Sequence, residues 1–303
     1  MQSKLDARGG QGRRSRRFAA TLIIGVTALA AAGYGTSSAT TPSHSAAAGV
    51  DAAARALLPA SIRSSNVLRD GINSPNLPME FPGPGGKGFQ GFDISLANAI
   101  GAKLGVKIQF DNVAFVQLLP SLATGRIDIM LSALSDLPTR RATATWIDYF
   151  KSGARMFTTK ANAAKYPTLA SLCGQTIETA VGTSYIQEIP TLSATTCKAK
   201  APMKVLAVGG SLAEEELTVK TGRAAAAVSA PENFSSLSSA YVPVGGIWAP
   251  SHYGIAVKKG NTPVINAVKA AFGDVLKDGT YASIAKRWGQ TASEVTTVTV
   301  NGK

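Results

Sequence analysis

The chain has 303 residues, of which 45% are hydrophobic and 16% are charged, and its formal net charge is +13. This is ordinary globular composition, with length for one large domain or two modest ones. Six of the 31 basic residues and one of the 18 acidic residues precede Phe18, so the remainder carries 25 − 17 = +8. The remainder has no Arg/Lys run with interleaved aromatic residues, so this excess does not indicate a nucleic-acid-binding protein.

The N-terminus has the three-part pattern of a cleaved export signal. A basic segment is followed by an uncharged apolar run over 18–33 and by a Ser/Thr/Ala-rich stretch over 36–48. A membrane anchor is the alternative, but about 16 apolar residues are fewer than the roughly 20 that a spanning helix needs. We therefore predict an export signal over 1–39, a disordered linker over 40–60 and an exported, extracytoplasmic protein.

Strand and helix patterns alternate from residue 61 onward. Apolar residues recur at helical spacing before glycines, and they alternate or run continuously where strands are expected. The predicted elements are a strand over 67–72, a helix capped by Asp93 and ended by Gly105, a strand over 106–111, a helix over 115–124, a strand over 127–131, and C-terminal helical stripes over 264–276 and 281–288. This order predicts an α/β fold with a largely parallel sheet.

One segment is repeated. The sequence Thr-Gly-Arg, a buried strand and Ser-Ala occurs over 124–133 and again, at equal spacing, over 221–230. Coincidence is the alternative, since glycine ends many helices. Because ligands of open α/β sheets lie at the C-terminal ends of strands, the repeat predicts two similar lobes with Ser132 and Ser229 on opposite walls of one cleft.

Several motifs in a fixed order carry a resemblance to a known family. The segment 91–100, GFDISLANAI, resembles the G-[FY]-D-[IV]-D-L-A-x-A-I signature of bacterial extracellular solute-binding proteins of the polar amino-acid family (family 3). Further matches are Leu68-Arg69, PMEF at 78–81, TGRID at 124–128, the loop 132–140 that ends in Arg, WIDYF at 146–150, LCG at 172–174, GTS at 182–184, and DGT at 278–280 with Trp288. Together they cover about residues 61–289.

The resemblance implies a type II periplasmic-binding-protein fold, an α/β fold with two lobes joined by a two-strand hinge. Lobe one would comprise 61–154 plus 252–303, and lobe two 159–247. Strands near 156–158 and 248–252 would form the hinge, and ligand binding would close the lobes by rigid rotation.

The family pattern places a ligand-binding site on both lobes. Arg140 would bind a carboxylate, because a guanidinium group offers a planar pair of donors, although a solvated arginine is the alternative. The backbone N–H groups of Ser135 and Ser184 would help, the latter at a helix start. Phe115 would pack on the solute or, alternatively, only in the core. The full predicted set is Arg140, Ser132, Ser135, Ser184, Gly182, Phe115, Asn76, Ser229 and Glu232, with no metal and no cofactor.

Departures from the family pattern bear on the solute and on the anchor. Asn76 stands where many relatives have an aromatic residue, and Ser229 and Ala230 replace the acid that pairs with an α-ammonium group. Glu232 is a candidate substitute; otherwise the solute has no free α-ammonium group. Tyr34 occupies the place of the lipid-bearing cysteine, which argues against a lipid anchor.

Two cysteines remain, Cys173 and Cys197, and we predict that they form a disulfide, since an exported pair is more often bridged than free. With only two histidines elsewhere, they do not complete a zinc site.

The resemblance implies a non-enzymatic receptor that passes an amino acid or another small carboxylate to an ABC permease and its ATPase. Two alternatives stay open: a dehydratase-type enzyme, for which Glu178, Glu188 and Glu232 are candidate acids, and a sensing or adhesion module.

Overall fold

The computed structural model describes residues 49–303. The predicted export signal and the first part of the predicted linker lie outside these residues. The helices within them are α1 (Ala52–Ala56), α2 (Ala60–Ser65), α3 (Phe92–Leu104), α4 (Leu118–Thr124), α5 (Tyr185–Thr196), α6 (Leu212–Lys220), α7 (Thr262–Lys277) and α8 (Thr280–Arg287). The strands are β1 (Val67–Ile72), β2 (Phe81–Pro82), β3 (Phe89–Gln90), β4 (Lys107–Asn112), β5 (Ile129–Met130), β6 (Ala144–Thr159), β7 (Thr176–Ala180), β8 (Lys204–Val208), β9 (Ala226–Ser229), β10 (Tyr241–Lys258) and β11 (Glu294–Val300).

Two long antiparallel strands, β6 and β10, run through the middle of the main sheet, whose strand order is β4-β1-β5-β10-β6-β9-β7-β8. On one side, β1 pairs in parallel with β4 and β5. On the other side, β7 pairs in parallel with β8 and β9. We call the β4-β1-β5 side the first lobe and the β9-β7-β8 side the second lobe; the lobe boundaries given above stay a prediction. The predicted α/β, type II periplasmic-binding-protein fold is confirmed.

Helix ends follow the glycines that the sequence marks. Gly105 and Gly125 adopt left-handed conformations, with φ of 62° and 75°, directly after α3 and α4. Glycine populates this region without the steric cost of a Cβ atom, so each stops its helix. The start of α3 differs from the prediction, because Gly91 precedes the helix and Asp93 lies in its first turn with its side chain turned toward another loop. The helix expected over 115–124 begins as a 3₁₀ turn.

The segment before β1 is folded, so the linker predicted up to residue 60 is wrong from Asp51 onward. The Asp51 side chain accepts a hydrogen bond from Ala53 N at 2.8 Å and caps α1. Ala54 and Leu58 are buried in the first-lobe core. Arg55 Nη1 donates to the carbonyls of Leu104 and Gly105, at the end of α3. Small apolar residues, which suggested a linker, here let a short helix lie close to α3 and α7.

The second lobe is tied by the predicted disulfide, which is confirmed: Cys173 is bridged to Cys197. Cys173 precedes β7 and Cys197 directly follows α5, so the bridge fixes the far end of the helix that begins at the cleft. Within residues 49–303, none of the helices is both long and apolar enough to cross a membrane.

Candidate ligand-binding cleft

A cleft of about 580 Å³ separates the two lobes and is lined by both. Seven of the nine predicted site residues line it: Asn76, Phe115, Ser135, Arg140, Ser184, Ser229 and Glu232. Further lining residues that the sequence did not single out include Thr183, Glu215, Asn233 and Tyr253.

Arg140 bridges the lobes at the mouth of this cleft. Its Nη1 donates to the Ser135 carbonyl at 2.9 Å, and its Nη2 donates to the Gly182 carbonyl of the second lobe at 3.2 Å. Burial lowers the pKa of Arg140, and the nearby carboxyl of Glu188 opposes this shift. A guanidinium group has five N–H donors, so these two bonds leave donors for a carboxylate. The geometry therefore agrees with the predicted role of Arg140.

The second lobe contributes a tight turn and a helix start beside Arg140. Gly182 has φ of 85°, and a Cβ atom built there would lie 3.0 Å from Val116 Cγ1 and 3.4 Å from Phe115 Cδ1 of the first lobe. Ser184 is the N-cap of α5, whose first N–H groups have no acceptor within the helix. A carboxylate at this end is favoured by the helix dipole. Gly182 thus sits at the contact between the lobes, while Ser184 faces the cleft.

Gly182 and Ser132 are the two predicted residues that do not line the cleft, and of the two only Ser132 is buried. It is 1% exposed, its hydroxyl donates to Glu80 Oε1 at 2.7 Å, and its Oγ accepts from Asn73 N at 3.0 Å. The hydroxyl is therefore used inside the first lobe, and the structure does not place Ser132 on the wall of the cleft. The repeat placed the backbone correctly, but the buried Glu80 decides where the side chain points.

Three buried carboxyl groups hold three consecutive residues, the last of which, Ala133, lines the first-lobe wall. Asp70 accepts from Leu131 N at 2.8 Å, Glu80 accepts from the Ser132 hydroxyl, and Asp93 accepts from Ala133 N at 2.8 Å. Asp70, an acid within an apolar strand, is thereby explained. Ala133 has φ of 42°, a conformation that costs free energy in a non-glycine residue and persists only where its surroundings hold it.

Two of these carboxyl groups, those of Glu80 and Asp93, influence each other's pKa. Burial raises the pKa of Glu80 well above its usual value, and the adjacent Asp93 carboxyl raises it further. Burial also raises the pKa of Asp93, to about 6, although hydrogen bonds from Glu80 and Tyr149 favour its ionised form. The Asp93 carboxyl accepts hydrogen bonds from both Ala133 N and the Tyr149 hydroxyl. Buried carboxyl groups thus hold the backbone of Leu131 and Ala133 and the hydroxyl of Ser132 in place.

The second-lobe wall lies at the end of β9. Ser229 is 2% exposed, and its Oγ accepts from Asn233 Nδ2 at 3.1 Å. Glu232 follows in a 3₁₀ turn, and its Oε2 accepts from the Ser152 hydroxyl of β6 at 3.0 Å. Burial raises the pKa of Glu232 to about 7, and the nearby Tyr253 hydroxyl favours the ionised form. Glu232 therefore titrates near neutrality inside the cleft.

Sequence reasoning missed Glu215, an acid of α6 that lines the same wall. It is 7% exposed, and burial raises the pKa of its carboxyl, with the charge of Glu178 adding to the shift and the Ser229 hydroxyl opposing it. A signal existed: Glu215 lies three and four positions before Thr218 and Val219, the other buried residues of α6, so helical periodicity puts all three on one face. Glu214, its neighbour, is instead used in capping α6.

The cleft thus offers Arg140 from the first lobe, and a helix start and two buried carboxyl groups from the second lobe. Among residues 49–303, no group of three or more His, Cys, Asp or Glu side chains is arranged to hold a metal ion. The arrangement can bind a small molecule that carries a carboxylate and enclose it between lobes.

Sequence comparison agrees with this geometry. The sequence profile of bacterial extracellular solute-binding proteins, family 3, matches residues 68–291. The chain belongs to this family. The match spans both lobes and contains every residue of the cleft named above.

Individual family relatives are distant but cover most of the chain. L-cystine-binding protein TcyJ of Escherichia coli (strain K12) is 22% identical over 236 residues, which are 75% of this chain and 84% of that protein. A crystal structure of a mutant of ArgBP from T. maritima has a TM-score of 0.67 and 26% identity, covering 76% of this chain and 97% of the other. The ancestral amino acid-binding protein AncCDT-1, a precursor of cyclohexadienyl dehydratase, has a TM-score of 0.66 and 27% identity, with coverage of 75% and 97%.

Proposed function

We propose that this protein is the exported solute-binding receptor of an ABC importer, and that it closes around an amino acid or a related small carboxylate. The observation that carries the proposal is Arg140, which reaches across the cleft to the Gly182 carbonyl while retaining donors for a carboxylate. The permease and the ATPase would be its partners. The family membership, and the amino-acid-binding relatives, support the same conclusion.

The bound solute would close the lobes further, because its contacts with both lobes would be stronger than the contacts that the lobes make with each other without it. A carboxylate between Arg140 and the first turn of α5 touches both lobes, so it binds the closed form better than the open form. A ligand shifts a conformational equilibrium only by this differential affinity. The two long strands β6 and β10, which connect the lobes, are where we expect the rotation to occur.

A thermal-shift panel followed by calorimetry tests the proposal. The panel contains amino acids, amines and organic acids, because a ligand that binds only the native state raises the melting temperature. For the best ligand, Arg140→Ala should weaken binding by about 2–5 kcal/mol, the cost of removing one partner of a buried charge pair. The neighbouring Arg141, which is paired with Asp136, supplies the control Arg141→Ala. Unchanged affinity in a folded Arg140→Ala variant would refute the carboxylate site.

A dehydratase-type enzyme is the second candidate, because one observation favours it. Glu232 is a cleft carboxyl with a pKa of about 7, suited to a general acid. AncCDT-1 is itself an amino acid-binding protein, although it is a precursor of a dehydratase. Of the other candidate acids, Glu188 lies near Arg140, and Glu178 does not line the cleft. Turnover of a prephenate-like compound by the wild-type protein, lost in Glu232→Gln, would establish the enzyme.

A further inference from the structure

The edge of the second lobe that is remote from the cleft carries an exposed basic surface. The parallel strands β7, β8 and β9 end at the cleft, where Ala180, Gly209 and Ser229 line it. The first residues of these strands therefore lie at the opposite edge of the sheet. We call this edge the far pole, and its exposed basic residues are Lys160, Lys198, Lys200, Lys204, Lys220 and Arg223.

The ends of secondary-structure elements place all six residues at the far pole. Lys204 is the first residue of β8, and Lys220 is the last residue of α6. Lys160 directly follows β6, which runs antiparallel to β9 and so ends where β9 begins. The other three belong to the connections between α5 and β8 and between α6 and β9: Lys198, Lys200 and Arg223.

The acidic residues of the same lobe lie elsewhere. Residues 159–247 contain six acidic and seven basic residues, so the charge of this segment is nearly balanced. Glu232 follows β9 at the cleft, and Glu178 is fully buried. The first turns of α5 and α6, which begin at the cleft, hold three more: Glu188, Glu214 and Glu215. The segregation of the two signs, and not the net charge, makes the far pole positive.

The six basic groups are not neutralised at close range by the part of the chain that the structure describes. The three ion pairs within 49–303 involve none of them. The remaining acid, Glu216 of α6, accepts a hydrogen bond from Ser238 N at 2.7 Å. The helix dipole explains a basic residue in the last turn of α6, but the last turn of α5 has none. Repulsion among like charges destabilises a folded protein, and an anionic partner relieves it.

The far pole extends in two dimensions. Ile189 of α5 belongs to an apolar cluster with Val228 of β9, whereas Val219 of α6 belongs to another with Ala227. Because successive strand residues point to opposite faces, α5 and α6 lie on opposite faces of the sheet. The edge between them crosses β6, β9, β7 and β8, a width of about 14 Å at the usual strand spacing. The basic residues thus cover an area, whereas a linear polyanion is matched by a groove.

We infer that the far pole is a docking surface for an anionic phospholipid bilayer, which it binds by electrostatic attraction. A planar array of phosphate groups matches an area of basic side chains in both sign and shape. Proteins of this family are extracellular, so the outer surface of a membrane is accessible to them. The inference goes beyond the proposed function and does not involve a solute, because the cleft lies at the other end of the lobe.

Cosedimentation of the exported protein with lipid vesicles tests this surface. One set of vesicles contains phosphatidylcholine with phosphatidylglycerol, and the other contains phosphatidylcholine alone. The far-pole variant carries Lys198→Glu, Lys200→Glu and Lys204→Glu. The control variant carries Lys107→Glu, Lys258→Glu and Lys269→Glu, which change the net charge equally at exposed first-lobe positions outside the three ion pairs.

We expect the wild-type protein to bind the anionic vesicles and not the neutral ones, with an affinity that falls as salt is added. Each basic residue near an anionic bilayer strengthens binding about fivefold, so the far-pole variant should bind at least about fifty-fold more weakly. The control variant should stay within about fivefold, because charges farther than about 8 Å from the vesicle are largely screened. If the far-pole variant unfolds, glutamine at the same three positions replaces it.

The inference is overturned if the folded far-pole variant binds anionic vesicles as tightly as the wild type, or if the wild type does not bind them. It is also overturned if the control variant loses as much affinity, since net charge alone would then govern binding. Binding of poly-L-glutamate without binding of vesicles would assign the surface to an anionic polymer instead. None of these outcomes affects the proposed carboxylate site, which Arg140→Ala tests separately.

Discussion

On the first-lobe wall, Leu131, Ser132 and Ala133 are each held by a buried carboxyl group. On the second-lobe wall, the Glu232 carboxyl is held instead by a side-chain donor, the Ser152 hydroxyl at 3.0 Å. The first wall is therefore preorganised, and a solute that binds there need not pay to order it. On the second wall the hydrogen bond to Glu232 joins two side chains, so it does not fix a backbone N–H as Asp70 and Asp93 do on the first wall.

The interiors of the lobes differ as well. The main apolar cluster of the first lobe contains 31 buried residues, including contributions from α1, α3 and α7, whereas that of the second lobe contains eleven. A smaller core buries less apolar surface and supplies less stability. Cys197 belongs to the second-lobe cluster, so the covalent bond is placed in the lobe that has less other support.

The largest effect on stability should follow removal of that bond. Replacing Cys173 and Cys197 by alanine should lower the free energy of unfolding by about 3.5 kcal/mol, because a loop of roughly 25 residues becomes unconstrained in the unfolded chain. Denaturant unfolding of the double variant measures the loss. The matched control is the wild type after reduction. If both resist denaturant as the oxidised protein does, the second lobe does not depend on its bridge.

The second lobe also contains a buried carboxyl group without a hydrogen-bond partner, that of Glu178 in the centre of β7. Glu178 is 0% exposed, neither carboxyl oxygen has a partner within 49–303, and burial raises its pKa from 4.5 to about 8. The folded state therefore holds this proton more tightly than the unfolded state. It follows that the contribution of Glu178 to stability falls as the pH rises from about 4.5 to about 8, and is constant above.

The substitution Glu178→Gln should remove this pH dependence of the free energy of unfolding. Between pH 5 and pH 9, the free energy of unfolding of the variant should rise relative to that of the wild type by on the order of 2–4 kcal/mol, since each pKa unit is about 1.4 kcal/mol. Chemical denaturation at pH 5, 7 and 9 measures it, with Glu216→Gln as the control on α6. Parallel stability curves for wild type and Glu178→Gln would show that Glu178 is ionised at little cost.

The first wall can be weakened through the carboxyl that holds its strained residue. Asp93→Asn leaves one oxygen where Asp93 had two acceptors, for Ala133 N and for the Tyr149 hydroxyl. We expect a loss of about 2 kcal/mol in unfolding free energy, the cost of a buried group left without a partner, together with weaker solute binding. Asp111→Asn, at the more exposed end of β4, is the control. Equal losses in the two variants would mean that Asp93 does not fix the wall.

Much of the first lobe and the position of Arg140 in the cleft were predictable from the sequence because the determining residues are local. Gly105 and Gly125 end helices by their own backbone freedom, and Arg140 ends a loop with a recognisable pattern. Sequence spacing also placed Ser229 on the correct wall. These features need no knowledge of distant residues.

The errors arose where a distant side chain decides the outcome. Ser132 points away from the cleft because Glu80, 52 positions earlier, accepts its hydrogen bond. Glu215 enters the site because α6 packs on β9, which brings it to Ser229. No local sequence pattern indicates the Ser132–Glu80 hydrogen bond or the entry of Glu215 into the cleft. The helix α1 was missed for the same reason, since its small residues gain burial only against α3 and α7.

The smallest expected effect concerns the place where the two walls meet. Gly182 and Gly174 both have left-handed backbones, with φ of 85° and 80°. Alanine at either position should cost about 1 kcal/mol of unfolding free energy through backbone strain. Only at Gly182 would the added Cβ atom press on the first lobe, 3.0 Å from Val116 Cγ1; at Gly174 it would lie 3.4 Å from Ala201 Cβ within the second lobe.

Comparing Gly174→Ala with Gly182→Ala therefore separates the effect of backbone strain from the effect of lobe closure. Gly174→Ala should lose stability and keep its affinity for the solute found in the thermal-shift panel. Gly182→Ala should lose a similar amount of stability and bind that solute several-fold more weakly, because the closed form must accommodate the contact with Val116 and the shift of the carbonyl that Arg140 binds. Unfolding curves and calorimetric titrations of both variants measure the two quantities. Equal affinities would mean that closure does not bring Gly182 against the first lobe in the complex, and the walls would then meet only through the solute itself.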